Sequence, residues 1–205
     1  MKCSYCDRNA QYRDRATGSA LCLKHARLEV TAPLSLSPIR EGAGGEIRRA
    51  LPTDRERIAW IAHYFWNETR VLCFDRDYDV LEAPAFLAEM EGEVVGLLAY
   101  MPEPAEDRLT ILLLNILPEY QGEGLGRRLL EAALAEARRL GLSRVRVATT
   151  NDDLPALYLY QRLGFHLTGV VAGLLVMHHG GEELGFADIP VRDEIRLEFV
   201  LAPPA

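Results

Sequence analysis

One stretch of the chain, residues 109–126, combines three features that together restrict the fold. It begins with a nearly all-aliphatic run, continues through a turn in which Gly122, Gly124 and Gly126 occupy three of five positions, and ends where an amphipathic helix starts. The aliphatic run is typical of a strand buried on both faces. Because the first-turn amides of a helix point out of its end and its dipole favours negative charge, such a turn predicts an anion site. We interpret the glycines as bringing those amides close to a phosphate, and the alternative is a tight turn with no ligand.

From Glu46 onward, strand and helix patterns alternate. Helices are predicted from a cap at Thr53 or Asp54 to about residue 68, over 124–140 and over 154–163. Strands are predicted over 47–51, 85–91, 93–101, 109–117, 145–149, 165–171 and 195–201. This order predicts an α/β (α+β) domain over 46–205, with a mixed sheet and helices packed on it.

The predicted helices carry apolar stripes that face this sheet. In the first helix the stripe consists of Ile58, Ile61, Ala62 and Phe65. In the second it consists of Leu125, Leu129, Leu130, Ala133, Ala137 and Leu140.

Three blocks of this domain resemble the GNAT acyltransferase superfamily. Residues 121–126 (QGEGLG) match its Q/R-x-x-G-x-G/A signature, residues 116–118 (ILP) resemble its V-x-P, and residues 153–165 resemble its N-x-x-A-x-x-L-Y-x-x-x-G-F block. The resemblance covers about residues 46–201. It implies a mostly antiparallel sheet with helices on both faces, and transfer of an acetyl group from acetyl-CoA to an amine acceptor.

The same resemblance implies where acetyl-CoA binds. The pyrophosphate would sit on the amides of residues 122–127, and the pantetheine arm would pair with the backbone near Ile116. The implied cofactor-binding residues are Ile116, Leu117, Gln121, Gly122, Glu123, Gly124, Leu125, Gly126, Arg127 and Asp153.

Individual positions within this set leave alternatives open. Arg127 or Arg128 would add a charged contact to phosphate. Asp153 stands where the family has Asn, so it is either a cofactor contact or only a helix cap, and Asn151 is an alternative contact. Glu123 departs from the family pattern, and we expect its side chain to turn to solvent.

Acyl transfer needs an oxyanion donor, a general base and a proton for the leaving thiolate. The resemblance implies Tyr160 as the acid and the backbone amide of Ile116 as the oxyanion donor. Tyr158 lies on nearly the opposite side of the helix, and the alternative is that both tyrosines only pack. The predicted strand that contains Asn115 has no carboxylate, so the base stays unassigned among Glu82, Glu89 and Glu119.

The acceptor pocket of such folds is lined by the first helix and the hairpin that follows. Trp60, His63, Tyr64 and Trp66 lie in this region, and residues 177–183 are a candidate loop over it. Aromatic residues at helical spacing are usually core residues, and we interpret them so. The identity of the acceptor does not follow.

Residues 1–30 predict a separate zinc-binding segment, joined by a linker over 31–45. Cys3-x2-Cys6 and Cys22-x2-His25 have the spacing of a tetrahedral zinc site, with a hairpin over residues 13–20 between them. Because so short a segment cannot bury a core, zinc would be structural. The alternative is three free cysteines and a surface histidine, and Cys73 is expected to be an inert thiol.

Charge and hydropathy narrow the location and the partners. Residues 1–30 hold six Lys/Arg and three Asp/Glu, so they carry +3 and the remainder carries −10 of the net −7. An acidic body argues against a nucleic-acid binder, although the zinc segment is a candidate contact for a protein or RNA partner. Without a long apolar run or a signal peptide, the expected location is cytoplasmic and no membrane partner is expected. The oligomeric state is left open, with a dimer among the options.

A second function class competes with the enzyme. The chain would then be a non-catalytic module that senses acyl-CoA, or an adaptor whose zinc segment binds the partner. The missing strand carboxylate favours this alternative, and the block around Tyr160 disfavours it.

Overall fold

The computed structural model describes residues 12–13, 20–21, 45–179, 181 and 183–201. Within them, the helices are α1 (Arg55–Trp66), α2 (Leu125–Arg139), α3 (Leu154–Arg162) and α4 (Leu174–His179). The strands are β1 (Tyr12–Arg13), β2 (Ala20–Leu21), β3 (Glu46–Arg49), β4 (Arg70–Cys73), β5 (Arg76–Asp79), β6 (Ala85–Met90), β7 (Glu93–Glu103), β8 (Arg108–Ile116), β9 (Arg144–Thr150), β10 (His166–Val171), β11 (Glu183–Leu184), β12 (Pro190–Val191) and β13 (Glu194–Val200). Every predicted strand and helix is confirmed to within two residues at each end.

Seven strands form one sheet in the order β10-β13-β9-β8-β7-β6-β3. Each neighbouring pair is antiparallel except β8 and β9, which are parallel. A parallel pair needs a crossover connection, and α2 lies in it. The expected mixed, mostly antiparallel sheet is therefore confirmed.

The helices cover both faces of this sheet. On one face, Leu129, Leu130 and Ala133 of α2 pack in one buried cluster with Tyr160 of α3. On the other face, Ile58 and Ile61 of α1 pack in a second cluster. We call these the α2 face and the α1 face.

The apolar stripes agree with the prediction except at one residue. Ile58, Ile61 and Ala62 are buried, as are the first five residues of the predicted α2 stripe. Phe65, the fourth residue of the α1 stripe, is partly buried and packs against both clusters. Leu140 was predicted to be buried but is 38% exposed. The reason is that α2 ends at Arg139 and the chain turns away at Gly141, whose φ is +71°.

The sequence patterns did not predict the hairpin β4–β5. Its strands pair through Arg70↔Asp79 and Cys73↔Arg76. The turn between them consists of Phe74 and Asp75, both with positive φ, although such turns usually carry glycine or asparagine.

Two further findings bear on the sequence predictions. β1 and β2 pair antiparallel through Tyr12↔Leu21 and Arg13↔Ala20, as the hairpin predicted over residues 13–20 requires. In the described part of the chain, no helix is long and apolar enough to cross a membrane.

Candidate active site

The central feature of the site is a gap between β8 and β9. The two strands pair only from Arg108↔Arg144 to Ile111↔Val147. β8 then continues to Ile116 and β9 to Thr150 without pairing to each other. The sheet therefore opens at the carboxyl ends of its two parallel strands, where open α/β sheets bind ligands.

A β-bulge in β8 lies where this gap begins. Ala99 of β7 pairs with Leu113 and Tyr100 pairs with Ile111, so Leu112 is the extra residue. Bulges bend a strand and increase its local twist. The bend explains why β8 leaves β9 at this residue.

Beyond the bulge, β8 presents main-chain groups to the gap. Leu117 N–H donates to Val95 O of β7 at 2.9 Å. Because hydrogen-bonding directions alternate along an antiparallel strand, the main-chain groups of Leu114 and Ile116 point away from β7 and into the gap. The Ile116 carbonyl accepts a hydrogen bond from Gln121 Nε2 at 2.9 Å, and its N–H faces the space between the strands.

The three glycines at the start of α2 have two different structural roles. Gly122 and Gly124 have φ of +86° and +80°, in the left-handed region that favours glycine. Gly126 instead allows close packing, because a Cβ there would lie 3.3 Å from Leu159 Cδ2 of α3. The structure thus gives Gly126 a packing reason of its own, and the approach of amides to a ligand stays a prediction.

The helix end beyond this loop has the geometry of an anion site. Gly124 is the N-cap of α2, and Arg128 N–H donates to its carbonyl at 3.2 Å. The amides before Arg128 belong to the turn whose donors have no acceptor within their own helix. Glu123 is exposed, as expected, while Leu125 is buried in the core.

Two other predicted cofactor residues have partners within the protein. Leu117 is buried and its amide is used by β7. Arg127 forms an ion pair with Glu131 at 2.7 Å on the exposed side of α2. A phosphate contact by Arg127 therefore requires exchange of that partner.

The two tyrosines of α3 lie in opposite environments, as predicted. Tyr160 is 4% exposed and Tyr158 is 51% exposed. Burial raises the pKa of the Tyr160 hydroxyl, and the nearby charge of Asp153 raises it further. Tyr160 therefore keeps its proton at neutral pH.

Asp153 caps α3. Its Oδ1 accepts from Ala156 N–H at 3.1 Å, and its Oδ2 accepts from the Thr149 hydroxyl at 3.2 Å. Burial raises the pKa of this carboxyl. Asn151 also has structural partners, since its side chain binds the main chain of Pro190, Arg192 and Asp193.

On the α1 face, the hairpin β4–β5 closes the start of the gap. Cys73 Sγ lies 4.0 Å from the carbonyl oxygen of Ile111, the last β8 residue that pairs with β9. The thiol is buried, and burial raises its pKa to about 12. It is therefore protonated at neutral pH, consistent with an inert thiol.

Glu103 links this hairpin to the sheet. Its buried carboxylate accepts from five side chains: Arg76, Tyr78, Arg108, Thr110 and Arg146. Burial alone would raise the pKa of Glu103, but the hydrogen bonds from Thr110 and Arg108 outweigh it and hold the pKa at about 2. The carboxylate thus stays ionised and is too weakly basic to accept a proton from an amine.

The candidate general bases lie apart from the gap residues or on the surface. Glu82 pairs with Arg55 at 3.3 Å, and Glu89 pairs with Arg48. Glu119 is exposed. None of the three has a contact with the gap among the described residues, so the base stays unassigned.

Three aromatic residues of α1 are not core residues, contrary to the interpretation from sequence. Trp60, Tyr64 and Trp66 are 46%, 52% and 48% exposed. They lie off the buried stripe of the helix, which Ile58, Ile61 and Ala62 occupy. Trp66 Nε1 donates to Asn115 Oδ1 of β8 at 3.0 Å. In the sequence, the only indication of this contact was that Asn115 is a single amide in an otherwise aliphatic strand.

The four predicted zinc ligands, Cys3, Cys6, Cys22 and His25, lie outside the described residues. Among the residues that are described, His, Cys, Asp and Glu form no group of three or more able to hold a metal.

A family model agrees with this geometry. The model described as the Acetyltransferase (GNAT) family matches residues 49–165, more than half of the chain. The match includes the gap, the glycine loop and α3.

Curated relatives match over part of their length. N-acetyltransferase family 8 member 3 of Rattus norvegicus is 31% identical over 53% of this chain and 53% of its own. Streptothricin acetyltransferase of Streptomyces lavendulae is 32% identical over 41% of this chain and 44% of its own. The chain thus spans about half the length of these curated relatives.

A solved structure shows the same fold. The GNAT family acetyltransferase from Elizabethkingia anophelis with acetyl-CoA bound superposes with a TM-score of 0.60 at 19% identity. The similarity covers 78% of this chain and 100% of that one.

Proposed function

Because this chain belongs to the GNAT acetyltransferase family, we propose that it transfers an acetyl group from acetyl-CoA directly to an amine acceptor. The observation that carries the proposal is the gap between β8 and β9. It opens beside a glycine-capped helix end, so one ligand with an anionic end and an extended arm fits both features.

In this proposal the cofactor lies along the gap. The pyrophosphate binds the amides of residues 122–127, where Gly122 and Gly124 leave room for it. The pantetheine arm hydrogen-bonds to the main chain of β8 around Ile116. Leu117, Gln121, Glu123, Leu125 and Gly126 shape this loop, and Arg127 and Asp153 border it.

The chemistry follows from where the thioester would then lie. A neutral amine attacks the thioester carbonyl carbon, and the Ile116 N–H stabilises the oxyanion that forms. The C–N bond forms and the C–S bond breaks as the Tyr160 hydroxyl gives its proton to the leaving thiolate. The proton of the acceptor nitrogen passes to water or to a base that the present geometry does not assign.

The acceptor is inferred only as a class. The relative from Streptomyces lavendulae is named for acetylation of streptothricin. We extend to this chain only the general feature, an amine on a small molecule or a protein.

We also propose that Cys3, Cys6, Cys22 and His25 bind one structural zinc ion. Three thiolates and an imidazole suit tetrahedral zinc. The antiparallel pairing of β1 and β2 supports the proposal, since the chain must double back between the two ligand pairs. Metal analysis of protein purified without added zinc should find about one zinc per chain, and a metal-free protein with an unchanged melting curve would contradict it.

Two measurements on the full chain test the enzymatic proposal. Calorimetric titration with acetyl-CoA should show binding, and thiol release with a panel of amines should show turnover. Binding without turnover on any amine would favour the non-catalytic acyl-CoA sensor. Absence of binding would overturn both functions.

A further inference from the structure

The two tryptophans of α1 are equally exposed but differently placed. Trp60 stacks on Tyr64 with ring centroids 5.3 Å apart, and the Arg57 guanidinium lies 4.3 Å from its ring centre. Trp60 thus belongs to a surface cluster formed by residues of α1 itself. Trp66 is instead bonded to Asn115, forty-nine positions along the chain and in the part of β8 that borders the gap.

Asn115 stands out in its strand. Residues 111–114 before it and Ile116 after it are aliphatic, and Leu112 and Leu113 belong to the buried cluster on the α1 face. An amide in such a strand is costly unless it is hydrogen-bonded. Here its oxygen accepts a hydrogen bond from the Trp66 indole, whose ring stays half exposed. The hydrogen bond therefore positions an aromatic ring at the surface and not in the core.

This surface lies on the side from which an acceptor must approach. α2 and Tyr160 occupy the other face of the sheet. Asn115 is adjacent to Ile116, whose N–H faces the gap, so the indole that Asn115 holds borders the α1-face entrance.

The chemistry of the reaction then limits what this ring can bind. The attacking amine must be neutral, so it offers no positive charge to an aromatic face. A cation held by an indole must therefore be a second charged group on the same acceptor. The net charge of −10 over residues 31–205 also favours a cationic ligand.

We propose that Trp66, positioned by Asn115, forms the acceptor-binding wall and selects small amines that carry a second positive charge. This inference rests on the proposed acetyl transfer. It names the class of acceptor and the residue that distinguishes it from a simple monoamine.

The test compares cadaverine with pentylamine, which have the same five-carbon chain but differ in the second ammonium group. With saturating acetyl-CoA, wild-type protein should use cadaverine with the higher kcat/KM. Trp66→Ala should lower kcat/KM for cadaverine roughly tenfold, leave pentylamine nearly unchanged, and leave the KM for acetyl-CoA unaltered. Trp60→Ala is the matched control because Trp60 is equally exposed. It should leave kcat/KM unchanged for both amines.

Equal losses for both amines, or equal effects of the two Trp→Ala variants, would overturn the inference. If neither amine is acetylated, fluorescence decides. The chain has two tryptophans, so in Trp60→Phe protein the emission comes from Trp66 alone. With CoA bound, added spermidine should change that emission, and no change would overturn the inference, whereas failure of CoA itself to bind would overturn the proposed function.

Discussion

The two sides of the gap between β8 and β9 are built from different parts of the chain. On the α2 side, the groups proposed to bind the cofactor are mainly main-chain amides of nearly consecutive residues in the glycine loop and the helix end, and Tyr160 of α3 lies on the same side. The α1 side consists of side chains from distant segments, among them Trp66, Cys73 and Glu103. The comparison teaches that the contacts proposed for the cofactor are mostly main-chain groups close together in sequence, whereas the contact proposed for the acceptor depends on side chains that only folding brings together.

The largest expected effect concerns Tyr160, the proposed proton donor on the α2 side. Tyr160→Phe keeps the ring but removes the proton, so the transfer rate should fall by roughly 10²- to 10⁴-fold while affinity for acetyl-CoA changes little. Tyr158→Phe is the matched control, since its hydroxyl lies on the exposed side of α3. Single-turnover measurements at saturating acetyl-CoA isolate the acetyl-transfer step. Equal transfer rates in the two variants would mean that another residue is the acid.

On the α1 side, the largest effect is expected on stability. Glu103→Gln leaves the buried guanidinium of Arg146 without its counter-charge, and should lower the free energy of unfolding by about 3 kcal/mol. Glu106→Gln is the control: it removes a more exposed carboxylate that pairs with Arg76 at 2.8 Å and also with Arg108, and should cost about 1 kcal/mol or less. Urea unfolding of the three proteins makes the comparison.

The difference in stability between wild type and Glu103→Gln should depend on pH, and the direction of that dependence follows from the pKa of Glu103. The folded pKa of Glu103, about 2, lies below its ordinary value of 4.5. Its stabilisation is therefore present above pH 4.5 and is lost as the pH falls toward 2. The difference in free energy of unfolding between wild type and Glu103→Gln should become smaller over that range. A difference that becomes larger would show that the carboxylate is not the stabilising partner.

A smaller effect is expected from the glycine loop. Gly124→Val places a branched side chain at a φ of +80° and in the space proposed for the pyrophosphate. Affinity for CoA should fall about tenfold to a hundredfold by calorimetry. Gly92→Val, at a φ of +81° in the turn between β6 and β7, should strain the backbone similarly but leave CoA affinity unchanged; equal losses would mean that the loop is only a turn.

The same contrast explains how far the sequence alone could predict the site. The loop was predictable because Gly122, Gly124 and the helix they precede are adjacent in sequence, and the role proposed for them depends on backbone geometry. The contact between Trp66 and Asn115 was not, because it joins residues that only the packing of α1 on β8 brings together. The apolar periodicity of α1 predicted the helix, but it did not predict which of its aromatic residues would be exposed.

The hairpin β4–β5 shows a second reason for failure. Residues 70–79 have no alternation of apolar and polar side chains that would indicate a half-buried strand pair, and their turn uses Phe74 and Asp75 in place of glycine. Its strand β5 is tied to the sheet through Glu103, which accepts hydrogen bonds from side chains of β5, β8 and β9. Gln121 illustrates the opposite case, since a residue recognised by its motif proved to hold the carbonyl of Ile116.

The most direct test of the central claim is a crystal structure of the full chain with CoA. We expect the pyrophosphate on the amides of residues 122–127, the pantetheine arm between β8 and β9, and the sulfur within hydrogen-bonding distance of the Tyr160 hydroxyl on one side. We expect the opening to the α1 side to be bordered by Trp66. CoA bound elsewhere, or a sulfur out of reach of Tyr160, would contradict the account.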